Sequence, residues 1–155
     1  MSAIMFLIAL AWFLIDRVTK IFFDSGQFSI GQDITPSIFG IFHFTLVHNT
    51  GAAFGIFSDS AMGLSIGSII LSVFLIALPF ALTMRIAKNN TQYRLGLTLL
   101  VSVSVVVAGG IGNAIDRFIS GYVVDFIYLD FMPFPVFNIA DIGVVCGMIV
   151  LIISC

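Results

Sequence analysis

Charged side chains are scarce in this sequence: they make up 9% of its 155 residues, while 60% of the residues are hydrophobic. Glutamate is missing altogether, so all eight acidic residues are aspartates. A soluble domain usually carries about 25% charged residues, and a soluble fold this small could not bury so much apolar surface. The composition therefore predicts an integral membrane protein, for which lipid replaces water as the solvent.

Other shortages narrow the range of functions. The net charge of −2 and the lack of a basic tract argue against a nucleic-acid partner. The two cysteines, Cys146 and Cys155, lie in one late apolar stretch without the spacing of a metal site or a disulfide framework. His43 and His48 have no partner at a ligand spacing in the sequence, so we expect no metal and no other cofactor.

Four apolar stretches approach the roughly 20 residues that a membrane-spanning helix needs. They cover about 3–23, 61–86, 95–115 and 139–153 of a single domain that occupies residues 1–155. The first stretch lacks a preceding basic region and a following A-x-A site, so we interpret it as a retained helix and not as a cleaved signal. Within the region 24–59, the segment Ile41–Val47 is β-branched and aromatic, which predicts a strand of a small sheet outside the bilayer.

Basic residues indicate the orientation of the chain. The loop between the second and third stretches carries Arg85, Lys88 and Arg94 and no acid, which places it in the cytoplasm. Both termini are then expected in the cytoplasm as well. The unusual polar residues gather at the opposite membrane face; they are Asp16, Lys20, Asp116, Arg117, Asp125 and Asp141.

The stretch from Gly109 to Asp141 is the most informative part of the sequence. It begins with three glycines that permit close approach of a helix or a ligand: Gly109, Gly110 and Gly112. Asn113, Asp116 and Arg117 follow, and ionisable groups at membrane depth cost about 2.5–3.5 kcal/mol each on insertion scales. These residues are functional candidates. In the alternative interpretation, Asp116 and Arg117 anchor the helix at the membrane interface.

Two aspartates in this stretch are candidates for acid–base chemistry. Pro133 and Pro135 prevent one continuous helix between Asp125 and Asp141, so the chain must reverse and bring two helix ends together. A close pair of carboxyls keeps one proton, and such a pair can activate water and protonate a carbonyl oxygen. The alternative for Asp141 is a capping box with Asn138 as the N-cap, a role that is compatible with catalysis.

Five ordered blocks of the sequence resemble the signature blocks of the lipoprotein signal peptidase (signal peptidase II) family. They span nearly the whole chain and are DRVTK at 16–20, HNTGAAFGIF at 48–57, GGIGNAIDR at 109–117, VVDFI at 123–127 and FNIAD at 137–141. The resemblance implies an all-α membrane protein with four transmembrane helices and a small extracytoplasmic β-sheet. It also implies an aspartic endopeptidase that cuts prolipoproteins before a cysteine carrying diacylglycerol.

The resemblance further implies roles for individual residues. It makes Asp125 and Asp141 the catalytic pair, and it places Asn49, Asn113, Arg117 and Asn138 along the substrate site. Asp16 and Lys20 are implied to be structural and, four residues apart on a helix, can form an ion pair. We assign the same structural role to Asp116 and to the glycines at 109, 110 and 112.

These inferences lead us to expect a monomeric peptidase of the bacterial inner membrane, with its active site facing the periplasm. Its partners would be a lipid-modified prolipoprotein and membrane lipids. A proton-coupled transporter could also use intramembrane aspartates, but the sequence shows no internal repeat and its acids gather at one face. A scaffold would explain the glycines but not the paired acids, and the GxGD element of presenilin-type peptidases is missing.

Overall fold

The computed structural model describes residues 2–51 and 90–154 of the chain. The elements in these two ranges are, in order, α1 (Ser2–Phe23), β1 (Phe42–Asn49), α2 (Asn90–Ser120), β2 (Val123–Leu129) and α3 (Ile139–Ser154). The helix α2 packs against both α1 and α3, and β2 contacts α1 and α2. The two strands form an antiparallel sheet.

Three of the four predicted apolar stretches coincide with helices. The helices α1 and α3 cover the stretches at 3–23 and 139–153, and α2 extends the stretch at 95–115 in both directions. The stretch at 61–86 lies outside the described residues. Among the described helices, the segment Gly96–Ser120 of α2 is long and apolar enough to cross a membrane, with 25 residues and a mean hydropathy of 1.9.

The helix α1 is apolar on its outer surface and polar where it meets the other elements. Leu7, Leu14 and Val18 are exposed, whereas Asp16 and Lys20 are only 0% and 1% exposed. A helix on the surface of a soluble protein has the opposite arrangement, with its apolar side inward. Exposed apolar and buried charged side chains are what a helix surrounded by lipid requires.

The strand predicted at Ile41–Val47 is confirmed by β1, but its partner comes from an unexpected part of the chain. The sheet was expected within the region 24–59, and the chain between Asp125 and Asp141 was expected to join two helix ends. Instead, α2 ends at Ser120, Gly121 turns the chain with a φ of +79°, and Asp125 lies on β2 opposite Val47. The β-branched run after the turn favours a strand, and pairing with β1 satisfies its backbone groups.

An aromatic core holds the sheet against α1. Phe23, the last residue of α1, stacks on Phe126 of β2 with 4.3 Å between ring centroids. Leu46 and Val124 complete the buried cluster. Each strand contributes one face to this core, so the polar residues lie on the other face of the sheet and at the strand ends. Asp125 lies on this other face, next to the helices.

The segment between β2 and α3 contains Pro133 and Pro135 and is not helical, as predicted. It returns to the sheet at Phe137, whose backbone N–H donates to Ile127 O at 3.0 Å and whose carbonyl accepts from Phe126 N at 3.0 Å. These bonds place Asn138, the next residue, beside β2. The first turn of α3 therefore starts close to Asp125.

A group of polar side chains lies at the end of the sheet that carries Asn49. The ring of His48 stacks on Tyr122 with centroids 3.8 Å apart, and its Nε2 lies 2.7 Å from Asp24 Oδ1. The hydroxyl of Tyr122 donates to the other oxygen of Asp24 at 3.2 Å. Residues from the end of α1, from β1 and from the turn before β2 are thereby held together.

His43 links the other end of the sheet to the loop that precedes β1. Its Nδ1 lies 2.6 Å from Asp130 Oδ1 and its Nε2 lies 3.1 Å from Asp33 Oδ1, while the ring packs on Tyr128. The hydrogen bond to Asp130 and the charges of both aspartates raise the pKa of His43 above its usual value, against a smaller effect of burial. The charged imidazole can donate to both carboxylates at once.

We predict that this group makes the stability of the protein depend on pH. Because the folded pKa of His43 is raised, its contribution is complete below the unfolded value of about 6.5 and is lost as pH rises through the folded pKa. The melting temperature in detergent, measured between about pH 5.5 and 9, should fall with rising pH. The variant His43→Gln should lack this component, and an unchanged slope in the variant would contradict the assignment.

Candidate active site

Asp141 lies in the first turn of α3 and forms the capping box that the sequence predicted. The backbone N–H of Asn138 donates to Asp141 Oδ2 at 3.2 Å, and the backbone N–H of Asp141 donates to Asn138 Oδ1 at 3.0 Å. The second oxygen, Asp141 Oδ1, accepts from Asn113 Nδ2 at 2.8 Å. The two hydrogen bonds to its oxygens therefore fix the direction in which this carboxylate points, at the positive end of the helix dipole.

Asp125 lies at the centre of β2 and is 1% exposed. Its Oδ2 accepts from Asn49 Nδ2 at 2.8 Å, and its Oδ1 accepts from Asn138 Nδ2 at 2.7 Å. Burial, and then the charge of Asp141, raise the pKa of Asp125 to about 7, although both amide hydrogen bonds oppose the shift. The Asp125 carboxyl thus holds a proton far more readily than an ordinary aspartate.

The side chain of Asn138 joins the two aspartates. It donates to Asp125 and accepts from the backbone of Asp141, and its Nδ2 also donates to Asn113 Oδ1 at 3.1 Å. The residue is 0% exposed and does not line the cavity described below. Its hydrogen-bonding groups are engaged within the protein, and its place along the substrate site stays a prediction.

Asp16 and Lys20 form the expected ion pair, with 3.0 Å between Lys20 Nζ and Asp16 Oδ2. The other oxygen of Asp16 accepts from the backbone N–H of Ala140 at 3.0 Å, so this side chain also caps the first turn of α3. Trp12 adds a third contact, since its Nε1 donates to Ile139 O at 3.2 Å. The helix α1 thereby holds the end of α3 that carries Asp141.

Asp116 belongs to the same buried charge network. It is 4% exposed and is paired with Arg17 and with Lys20, whose Nζ lies 2.8 Å from Asp116 Oδ2. Arg17 was not singled out from the sequence, because its partner is almost a hundred residues away. The family block DRVTK was the one signal that could have drawn attention to it.

The predicted close approach of the α2 glycines is found at two positions. A Cβ on Gly109 would collide with the carbonyl oxygen of Ala140, and a Cβ on Gly112 would lie 2.5 Å from Asp16 Oδ2. Gly110 lies on α2 between them and is half-buried. On the facing helix α3, Gly143 leaves room for the indole of Trp12. The absence of side chains thus lets α1, α2 and α3 meet around Asp16.

A cavity of about 390 Å³ opens beside the two aspartates. Its polar end is lined by Asn49, Asn113, Arg117, Asp125 and Asp141. Its apolar wall includes Leu129, Phe134, Phe137, Ile142, Val145 and Cys146. A site of this kind, mostly apolar with a few convergent polar groups, suits a ligand that combines a peptide bond with a hydrophobic part.

Among the residues that the structure describes, Arg117 is the one cation that lines this cavity. Its Nη2 donates to Gly51 O at 2.9 Å and its Nη1 donates to Asn113 O at 3.4 Å. Its buried Nε has no acceptor among the described residues. The two contacts hold the guanidinium at the cavity wall.

Comparisons with known proteins agree with one another. The family described as Signal peptidase (SPase) II matches residues 8–155. The chain is 41% identical over 143 residues to a lipoprotein signal peptidase of Nostoc punctiforme, covering 92% of this chain and 82% of that protein. It is also 41% identical over 143 residues to one of Clostridium tetani, covering 90% and 84%.

Two solved structures of a bacterial membrane enzyme are similar to this fold. One superimposes with a TM-score of 0.78 at 31% identity and covers 98% of this chain and 87% of the other. The second gives 0.76 at 33% identity and covers 98% and 92%.

We predict that Gly112→Ala destabilises the protein, although alanine is the better helix former by about 1 kcal/mol. The added Cβ would meet Asp16 Oδ2 and push α2 away from α1, and overpacking of this kind costs about 1–3 kcal/mol. The midpoint of chemical denaturation in detergent measures the effect. Ile111→Ala, at an exposed position of the same helix, is the control and should change stability less. Equal midpoints for Gly112→Ala and the parent would refute the close contact.

Proposed function

We propose, for a chain that belongs to the signal peptidase II family, that Asp125 and Asp141 form the catalytic pair. The family and the relatives establish the reaction, so the protein is a bacterial membrane enzyme, an aspartic peptidase that removes signal peptides from prolipoproteins. The observation that carries the assignment is the bridge through Asn138, which holds two carboxyl groups of different backbone elements at one cavity.

The surroundings of the two carboxyls suggest different roles. Each carboxyl accepts two N–H groups, but Asp141 alone of the two stands at the positive end of a helix, which favours its carboxylate form. Asp125, with a pKa of about 7, holds the proton that the pair shares. Asp141 then removes a proton from water as the water oxygen attacks the scissile carbonyl carbon. Asp125 donates its proton to the carbonyl oxygen.

Collapse of the resulting tetrahedral diol completes the cycle. Asp141 passes its new proton to the leaving amide nitrogen, and the C–N bond breaks. Asp125 recovers a proton from a diol hydroxyl as the carboxylic acid product forms. Both carboxyls return to their starting states, and the step consumes one water molecule and needs no metal.

The remaining residues support the substrate and the pair. Asn49 and Asn113 hold the aspartates from the cavity wall, where they can also meet the substrate backbone. Arg117 holds a substrate oxygen, either a peptide carbonyl or an ester group near the lipid. We assign Asn138 to positioning, because it is buried between the aspartates. The diacylglyceryl chains of a modified cysteine would lie along the apolar wall, with cleavage just before that cysteine.

We also propose the full architecture that the sequence suggests. It is a single domain, residues 1–155, with four transmembrane helices, of which 61–86 is the second, acting as a monomer among membrane lipids. The sheet and the active site would face the periplasm and both termini the cytoplasm. The cluster of Arg85, Lys88 and Arg94 supports this orientation.

The catalytic pair predicts the behaviour of asparagine variants. Each aspartate accepts N–H donors on both oxygens, so asparagine turns one acceptor into a donor and costs about 1–3 kcal/mol of stability. We expect Asp125→Asn and Asp141→Asn to remain folded and to lose at least about 10²–10⁴-fold in kcat per folded molecule. The double variant should be little worse than either single one.

The matched control is Asp33→Asn, the same chemical change at an exposed aspartate outside the cavity, which should retain full activity. The assay is release of the signal peptide from a diacylglyceryl-modified prolipoprotein, normalised to folded enzyme in the same detergent. A folded Asp141→Asn enzyme that cleaves at the parental rate would leave Asp141 with the capping role alone.

The orientation predicts a labelling pattern in intact spheroplasts. In a background without Cys146 and Cys155, a cysteine at exposed Ser37 should react with an impermeant maleimide, whereas one at Asn89 should not. The cysteine introduced at position 89 should react once the membrane is permeabilised, and this reaction serves as the control. The reverse pattern would place the sheet and the aspartates on the cytoplasmic side.

A further inference from the structure

Lys20 is the most completely buried cation among the described residues. Its side chain is 1% exposed, and three oxygens surround its ammonium group. They are Asn113 Oδ1 at 2.7 Å, Asp116 Oδ2 at 2.8 Å and Asp16 Oδ2 at 3.0 Å. An ammonium group has N–H donors and no acceptor, and it donates a hydrogen bond to Asn113 Oδ1 while both carboxylate oxygens lie at ion-pair distance. Two of these contacts neutralise its charge, whereas the third goes to a neutral amide.

The contact with Asn113 has a consequence for the direction of that amide. The oxygen and nitrogen of a carboxamide have nearly the same shape, so packing alone does not choose between the two orientations. Lys20 and Asn138 Nδ2 both donate to Asn113 Oδ1, and the opposite side, Asn113 Nδ2, donates to Asp141 Oδ1. A reversed amide would place NH₂ against the ammonium and an oxygen against the carboxylate. The ammonium therefore selects the orientation that serves Asp141.

The orientation of the Asn113 amide also determines the hydrogen bond that Asp125 receives. Because Asn113 presents its oxygen, Asn138 can direct Nδ2 at both Asn113 and Asp125 and leave its own oxygen for the backbone N–H of Asp141. Every donor in this chain of amides thus faces an acceptor. Lys20 can only donate, so it orients the first amide of this chain, Asn113.

We propose that Lys20 is a positioning residue for peptide hydrolysis: it fixes the carboxamide of Asn113 and, through Asn113 and Asn138, the two carboxyls. The proposal rests on the catalytic assignment of Asp125 and Asp141. It goes beyond the structural ion pair with Asp16, because a purely structural lysine would affect folding and leave turnover unchanged. It is not a catalytic residue, since it does not line the cavity.

The charge of Lys20 should also affect how the activity depends on pH. Charged groups around it come from each element in contact with α1; they are Asp16 and Arg17 of α1, Asp116 and Arg117 of α2, Asp141 of α3 and Asp125 of β2. The positive charge favours the anion of Asp125 and lowers its pKa, against the larger effect of burial. Its removal should raise that pKa, so the pH dependence of kcat/KM should move to higher pH.

The test is Lys20→Met, which keeps an unbranched apolar side chain one atom shorter than lysine and removes the charge and the donors. We expect kcat per folded molecule to fall roughly ten- to hundredfold, KM to change little, and the pH profile to shift upward. In an Asn113→Leu background, the same substitution should cost less than about threefold at the pH optimum, because its effect passes through Asn113.

Arg17→Met is the matched control. It removes one positive charge from the same helix, and this charge also pairs with Asp116. Arg17, however, makes no contact with Asn113. Its kcat and pH profile should equal those of the parent, whatever happens to its melting temperature. If Lys20→Met does not fold, Asp16→Asn with Lys20→Met removes both members of the ion pair and is compared with Asp16→Asn alone.

The outcomes distinguish the positioning role of Lys20 from the catalytic assignment of Asp125 and Asp141. A folded Lys20→Met enzyme with parental kcat and pH profile would overturn the positioning role, even if Asp141→Asn is inactive. An equal loss of kcat in the presence and absence of Asn113 would overturn the route through that amide. If Asp141→Asn itself retains full activity, the catalytic assignment fails first, and the two failures remain distinguishable.

Discussion

The hydrogen bonds of the Asn138 side chain are the interaction on which the site depends. They make Asn138 the N-cap of α3 and at the same time a donor to Asp125 on β2. A helix start and a strand are thus joined through one amide that is 0% exposed. Two buried carboxyls would repel each other if both were ionised, and neutral amide donors between them are what allows both to stay inside the protein.

The buried charges around α1 follow from the same requirement. Each buried ion costs several kcal/mol unless it is paired and hydrogen-bonded. The network of Asp16, Arg17, Lys20 and Asp116 pairs its members across α1 and α2, and Asp16 in addition caps α3. This arrangement holds three helices together in an environment where apolar surfaces gain little by associating. The glycines at 109, 112 and 143 allow the required approach.

The positions of the acids also separate hydrolysis from ion transport. Asp125 stands on a strand and Asp141 in the first turn of a helix, so both carboxyls lie at the end of the helices. A proton relay through the membrane places such groups along the helices, near the midplane. A cavity with a polar end and an apolar wall fits a lipid-bearing peptide better than it fits an ion pathway.

Local patterns allowed the sequence to determine a considerable part of this protein. The apolar stretches of α1 and α3 and the strand at β1 follow from local length and composition. The capping box of Asn138 and Asp141 and the ion pair of Asp16 and Lys20 follow from spacings of three and four residues. Such contacts follow from backbone geometry alone. Tertiary structure alone decided that β2 pairs with β1, that Asn138 bridges the two aspartates and that Lys20 faces Asn113, because these contacts join residues 13 to 93 positions apart. Their formation depends on how helices and strands pack, and no local period in the sequence specifies that packing.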